Sequence, residues 1–199
     1  EKSTSEKAVL TSQNTYSNLF HSKGGNASYS VMANTLREIY GTDVLIATGN
    51  SFTGSVLKAD YTEKMAGNMI MPNGLFAYKQ EMSGAELKEM VRAFVEGYEG
   101  GLVPFNRGSL PVASGISMEV KENEGGYTLT DLKMNGKSVK DKDTFTVTCL
   151  ATAKHMESFL EDQNLAFTKE DAPVKDAWIN YVSNGDAVLA EPEDYITLR

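Results

Sequence analysis

Few residues in this chain are spaced for chemistry. The 2 histidines, His21 and His155, lie far apart and neither sits in an Asp-His motif. A two-metal centre that activates water needs several His and Asp ligands, and that pattern is not written here. The single cysteine, Cys149, excludes an internal disulfide and a cysteine metal cluster; in its alternating segment it reads as a buried thiol rather than a nucleophile. A free-standing hydrolase built on His155 with a local serine or Glu157 calls for a nucleophile elbow or an oriented triad, and neither pattern is visible. On a helix-forming segment His155 is more often a surface or capped histidine than a base. What remains is Thr48-Gly-Asn-Ser-Phe-Thr-Gly54, directly after the apolar run Asp43-Val-Leu-Ile-Ala47. Glycine lets a ligand approach the backbone, although such a loop is more commonly a plain turn.

The elements that must position this loop are legible from period and capping. Tyr29, Met32, Ala33, Leu36 and Ile39 recur at helical spacing, with Asn26 to cap the start and Gly41 to end it, which predicts a helix over 27–40. The apolar run 43–47, bounded by Gly41 and Gly49, predicts a strand buried on both faces. Leu75 to Met82 reads as a strand, and Ser83-Gly-Ala-Glu86 as a capping box. The helix that follows carries Leu87, Met90, Val91, Phe94, Val95 and Tyr98 on one face and should stop at Gly100-Gly101. From Val112 the period changes to two. Ile116, Met118 and Val120 alternate with polar residues, Gly125-Gly126 allows a reversal into 127–134, and Asn135-Gly136 is a hairpin turn signal. Phe145, Val147 and Cys149 alternate with threonines. Pro173 should open a last helix bearing Val174, Ala177, Trp178, Tyr181 and Val182, and Tyr195–Leu198 adds a final strand. The fold class is α+β: a mixed, largely antiparallel sheet packed with three to four helices.

Length and charge narrow the partners. The 199 residues suit one domain, with 41% hydrophobic and 23% charged residues. Residues 1–8 read as a linker or the edge of a larger protein and 9–199 as the domain. The net charge of −8 and the absence of a basic stripe argue against nucleic acid; the mixed run Lys137 to Asp143 reads as a solvated hairpin end. No apolar stretch is long enough to span a membrane and no signal pattern opens the chain, so any secretion signal lies outside it.

In order along the chain, several segments resemble motifs of the 5′-nucleotidase C-terminal domain. Gly41-Thr-Asp-Val-Leu-Ile-Ala-Thr-Gly-Asn-Ser-Phe-Thr53 stands where that family has G-A-D-I-A-L-I-N-G-G-G-I-R, and Pro72-Asn-Gly-Leu75 where it has P-F-G-N. Ser83-Gly-Ala-Glu-Leu-Lys88 resembles T-G-A-E-L-K, the most specific of the matches. Leu110-Pro-Val-Ala-Ser-Gly115 resembles the V-S-G start of a strand, and Met134 to Val147 resembles V-N-G-K-P-L-D-P-x-K-T-Y-T-V. The resemblance implies a non-catalytic, substrate-binding domain that follows a metallophosphoesterase domain and presents a nucleotide or nucleoside to its metals. Divalent metals would belong to that separate domain, with no cofactor in this one. It also implies an extracellular or cell-surface bacterial protein of nucleotide catabolism.

The gripping residues differ. The family's loop arginine, which forks onto phosphate, is Thr53 here; the phenylalanine and asparagine of its turn are Asn73 and Leu75; and Ala151 to Phe159 replaces its G-G-D-G-Y run with helix-forming residues. Residues at the family's positions or able to substitute are Gly49, Asn50, Phe52, Thr53, Asn73, Gly74, Phe105, Arg107, Ser114 and His155. Phe52 or Phe105 would offer an aromatic face, Arg107 a charge, and Asn50 and Asn73 amide contacts, although phenylalanines are usually core and a lone arginine usually solvated. The alternative expectation is a degenerate surface module binding another small molecule, a glycan or a protein.

Overall fold

In the computed structural model, residues 7–71, 74–97, 110–154, 156 and 165–199 are described. The chain order is β1 (Ala8–Ser12), β2 (Phe20–His21), β3 (Gly25–Asn26), α1 (Ala27–Tyr40), β4 (Val44–Ala47), β5 (Ala59–Thr62), α2 (Glu63–Gly67), β6 (Leu75–Ser83), α3 (Gly84–Glu96), β7 (Val112–Ser114), β8 (Ser117–Asn123), β9 (Gly126–Met134), β10 (Lys137–Ser138), β11 (Thr144–Thr152), β12 (Thr168–Pro173), α4 (Val174–Ser183) and β13 (Ile196–Leu198). The fold is α+β, as expected, with two main sheets.

The larger sheet has the order β12-β6-β11-β4-β7. β11 runs parallel to β4, and the other pairings in this sheet are antiparallel. All four residues of β4 are buried, because helices cover the sheet. The second sheet has the order β10-β9-β8-β13, with β13 parallel to β8. The chain crosses between sheets at Gly115, whose φ of 81° places it where a Cβ would stand 2.1 Å from the Asp43 carbonyl oxygen. Only glycine fits that crossing.

Local chemistry accounts for the helix ends. The Asn26 side chain accepts from the Tyr29 N–H, and Gly41 closes α1 in the left-handed conformation. Ser83 and Glu86 form the reciprocal capping box. Gly84 and Ala85 then donate to the Asp143 and Asp141 carbonyls at 2.7 and 3.2 Å, so the run 137–143, read as a solvated hairpin end, also docks the start of α3. Asn135 and Gly136 both have positive φ, 51° and 75°, as a two-residue hairpin turn requires.

Some boundaries move. α3 ends at Glu96 with Gly97 as its cap, earlier than Gly100-Gly101, which with Tyr98 lies outside the described residues. Pro173 is not the first helical residue: it closes β12 opposite Phe76, and its ψ of 150° leaves it extended at the cap position of α4. Ala151 and Thr152 continue β11 instead of starting a helix, because they pair with Phe76 and Leu75; helix begins at Ala153.

One apolar core runs through both sheets, from Leu10 to Leu198. Trp178 is fully buried and donates its indole N–H to the Ala66 carbonyl at 2.9 Å, joining α4 to α2.

Candidate functional site

Because β4 and β11 are parallel, with Val44 opposite Val147 and Ala47 opposite Leu150, their carboxyl ends emerge on one side. β6 begins there, Leu75 pairing with Thr152, and β7 begins there, Val112 pairing with Ala47. Four segments therefore meet at one end of the sheet: the loop after Ala47, the approach to Leu75, the approach to Val112 and the chain leaving Thr152. Ligand sites in sheets with parallel strands favour that end.

The loop itself is a single 3₁₀ turn. Ser51 N–H donates to the Thr48 carbonyl at 2.9 Å, and the hydroxyls of Thr48 and Ser51 lie 3.2 Å apart. Asn50 is exposed. The strand of chain at 68–71 clamps the loop: Met71 N–H donates to the Ser51 carbonyl at 3.0 Å, Thr53 N–H donates to Met69 at 3.1 Å, and the Thr53 hydroxyl donates to the Asn68 carbonyl. Gly74, exposed with a φ of 86°, leads into β6.

The structure thus gathers Gly49, Asn50, Thr53 and Gly74 at the same end. Phe52 is there too, but its ring is 2% exposed and leans on Tyr29 with centroids 5.7 Å apart. It belongs to the core. Ser114 lies toward the other end of the sheet, opposite Leu45, where it accepts a hydrogen bond from Arg37 Nε at 2.8 Å. Asn73, Phe105, Arg107 and His155 lie outside the described residues. Leu75, which the sequence resemblance sets at the family's asparagine, is buried.

No arginine or lysine occurs between Thr48 and Gly54, so the loop's own residues offer an anion hydroxyls and amides. Among the described residues no group of three or more His, Cys, Asp or Glu side chains is placed to hold a metal ion. These residues do not fit a two-metal centre. Cys149 is fully buried in β11, and burial pushes its thiol up to about 12. No helix among the described residues is long and apolar enough to cross a membrane.

Sequence reading missed a pocket beside the loop. Phe20, Tyr29, Leu110, Val112 and Tyr195 line a cavity of about 150 Å³, with Asn18 and Leu19 at its mouth. Tyr29 had the helical spacing of a core residue, and Phe20 sits in a two-residue strand without period, so no local signal marks the pair.

The chain has the fold of the 5′-nucleotidase C-terminal domain. It superimposes on the NAD nucleotidase of Haemophilus influenzae with a TM-score of 0.70 at 17% identity, over 98% of this chain and 38% of that one. For a 5′-nucleotidase precursor of Thermus thermophilus the TM-score is 0.67 at 12% identity, over 96% and 39%. For a sulfate thiohydrolase of Thermus thermophilus it is 0.66 at 9% identity, over 96% and 35%. The chain therefore spans less than two fifths of each. No protein-family model and no curated protein matches it. The 5′-nucleotidase-type fold thus persists at identities where few individual side chains are shared, and its relatives include one named for sulfate rather than nucleotide chemistry, so fold and substrate separate here.

Proposed function

We propose that this chain is the non-catalytic, substrate-binding domain of a secreted or cell-surface 5′-nucleotidase-like metallophosphoesterase. It holds a nucleotide or nucleoside at the carboxyl ends of β4 and β11 for a separate metal-bearing domain. The observation that carries this reading is the convergence of Gly49, Asn50, Thr53 and Gly74 at that one end, in a fold shared with two proteins named for nucleotide substrates. With Thr53 in the arginine's place and Phe52 turned inward, hydroxyls, amides and backbone do the holding, so phosphate adds little to affinity. Calorimetry and amide chemical shifts with adenosine and AMP test this. Shifts at Gly49, Asn50, Thr53 and Gly74 with comparable affinity for both ligands are expected, and silence at millimolar concentration rules the reading out.

A second reading is supported by the same departures: the fold serves as a surface module for another small molecule, a glycan or a protein. The Thr53 hydroxyl is already engaged by Asn68 and Phe52 is core. Sequence upstream of Glu1 in the parent gene separates the two, since intact Asp-His and Asn-His-Glu metal motifs there would exclude the second.

A further inference from the structure

The pocket beside α1 is built more firmly than an accidental surface dent. Its floor is Leu110, Val112 and Tyr195, all nearly inaccessible, and its rim is the half-buried Phe20 and Tyr29. The walls are locked by hydrogen bonds. Asn26 donates its backbone N–H to the Tyr195 hydroxyl at 2.9 Å and its side-chain amide to the Asn18 carbonyl at 2.6 Å, and it accepts from the Tyr29 N–H at 3.0 Å. The Tyr195 ring packs so tightly on Gly25 that a Cβ there would stand 2.4 Å from it. The other side of Tyr29 rests on Phe52, the residue that closes the glycine loop. Such a pocket needs little reorganisation to receive a ligand.

Size and lining limit what enters. A cavity of about 150 Å³ admits a benzene-sized ring and is too small for a whole drug-sized ligand, which needs roughly 300 Å³ or more. Three aromatic side chains line it, Phe20 and Tyr29 at the rim and Tyr195 in the floor, and aromatic rings prefer tilted or offset partners of their own kind. Leu19, 67% exposed at the mouth, adds apolar area for a ring to cover. The Tyr29 hydroxyl and the Asn18 amide are available at the edge for one or two polar contacts, while the Asn18 side-chain oxygen is held by Ser55.

We propose that this pocket takes one planar aromatic or heteroaromatic ring, stacked against Phe20 and Tyr29 with Leu19 over its outer edge. The ring is either a nucleobase, which would deepen the nucleotide reading above, or a free aromatic small molecule.

Methyl spectra of the 199-residue chain, titrated with adenosine, indole and ribose 5-phosphate, test the proposal. Upfield ring-current shifts at the Leu19, Leu110 and Val112 methyls are expected with a ring-bearing probe and not with ribose 5-phosphate. Phe20→Ala should weaken binding roughly fivefold or more, as loss of an aromatic partner does; Leu19→Ala, at an exposed site that folding tolerates, should weaken it more modestly. Shifts with adenosine assign the ring to a nucleobase. Shifts with indole that AMP does not compete away keep the pocket and assign its ring to a free aromatic molecule. The proposal is overturned when neither ring moves these methyls at millimolar concentration, or when the shifts persist unchanged in both variants. When indole moves the methyls and AMP moves only the Asn50, Thr53 and Gly74 amides, nucleotide binding stands at the loop and the ring of this pocket is a free aromatic molecule.

Discussion

Arg37 Nε donates to Ser114 Oγ across 2.8 Å, tying the last turn of α1 to β7. The arginine's Nη1 also reaches the Asp43 carbonyl at 3.5 Å, so one side chain braces the helix, β7 and the chain just before β4. Ser114 is therefore a fixture of the scaffold, and Ser114→Ala should cost about 1.5–3 kcal/mol of stability, the range for a hydrogen bond to a charged group. Urea melts would show the loss. AMP and adenosine affinities should stay unchanged, because Ser114 lies away from the loop.

Thr53 is exposed and, by the resemblance of residues 41–53 to the 5′-nucleotidase motif, falls at its loop arginine. Thr53→Arg should restore a phosphate grip, raising affinity for AMP about tenfold (~1.4 kcal/mol) while leaving adenosine nearly unaffected. The gain should shrink as salt is added. Calorimetry at two ionic strengths is the measurement; equal gains for both ligands would show that the side chain does not reach phosphate.

Gly84 begins α3 where a Cβ would stand 2.0 Å from the Lys140 carbonyl oxygen. Backbone cannot yield as a flexible side chain does, so Gly84→Ala should destabilise by about 1–3 kcal/mol, as overpacking does, despite the better helix propensity of alanine. Gly136→Ala is a useful contrast, since nothing stands within 4 Å of its Cβ position and only its φ of 75° resists.

Burial raises the Cys149 thiol from 9.0 to about 12, and it raises Tyr40 and Tyr195 in the same direction. For each, the folded state prefers the protonated form. The associated stability is complete below the unfolded-state pKa and is lost as pH rises toward the folded value. Stability should stay level near neutrality and fall above about pH 9. Denaturant melts from pH 7 to 11 would follow it, and alkylation of Cys149 in folded protein should be limited by unfolding, with no thiolate exposed beforehand.

Legibility in the sequence tracked locality. Asn26 and Gly41 around α1, the Ser83–Glu86 box and the Asn135-Gly136 turn were readable because each rule acts within a few residues. The apolar run of β4 was readable because burial on both faces leaves no polar alternation. By contrast β1 and β5 form a separate ribbon, and β12 is a polar edge strand of threonine, lysine and acids, with no period to mark it. Phe52 stood in the glycine loop, and only the position of Tyr29 shows its ring to be core. The aromatic pocket depends on residues from 18 to 195 meeting at one point, which no window of sequence contains.

β11 sits at the centre of the larger sheet, yet the strand it parallels, β4, lies about a hundred positions earlier, as the contact of Asp43 with Thr146 over 103 residues shows. During translation, α1, β4 and β6 must wait without their central strand until Thr152 has left the ribosome. At about 5–20 residues per second, that wait lasts on the order of 5–20 s for a chain whose β4 is buried at all four positions in the finished fold. The nascent chain therefore carries β4 without its central partner over that interval, and its folding yield should respond to translation speed.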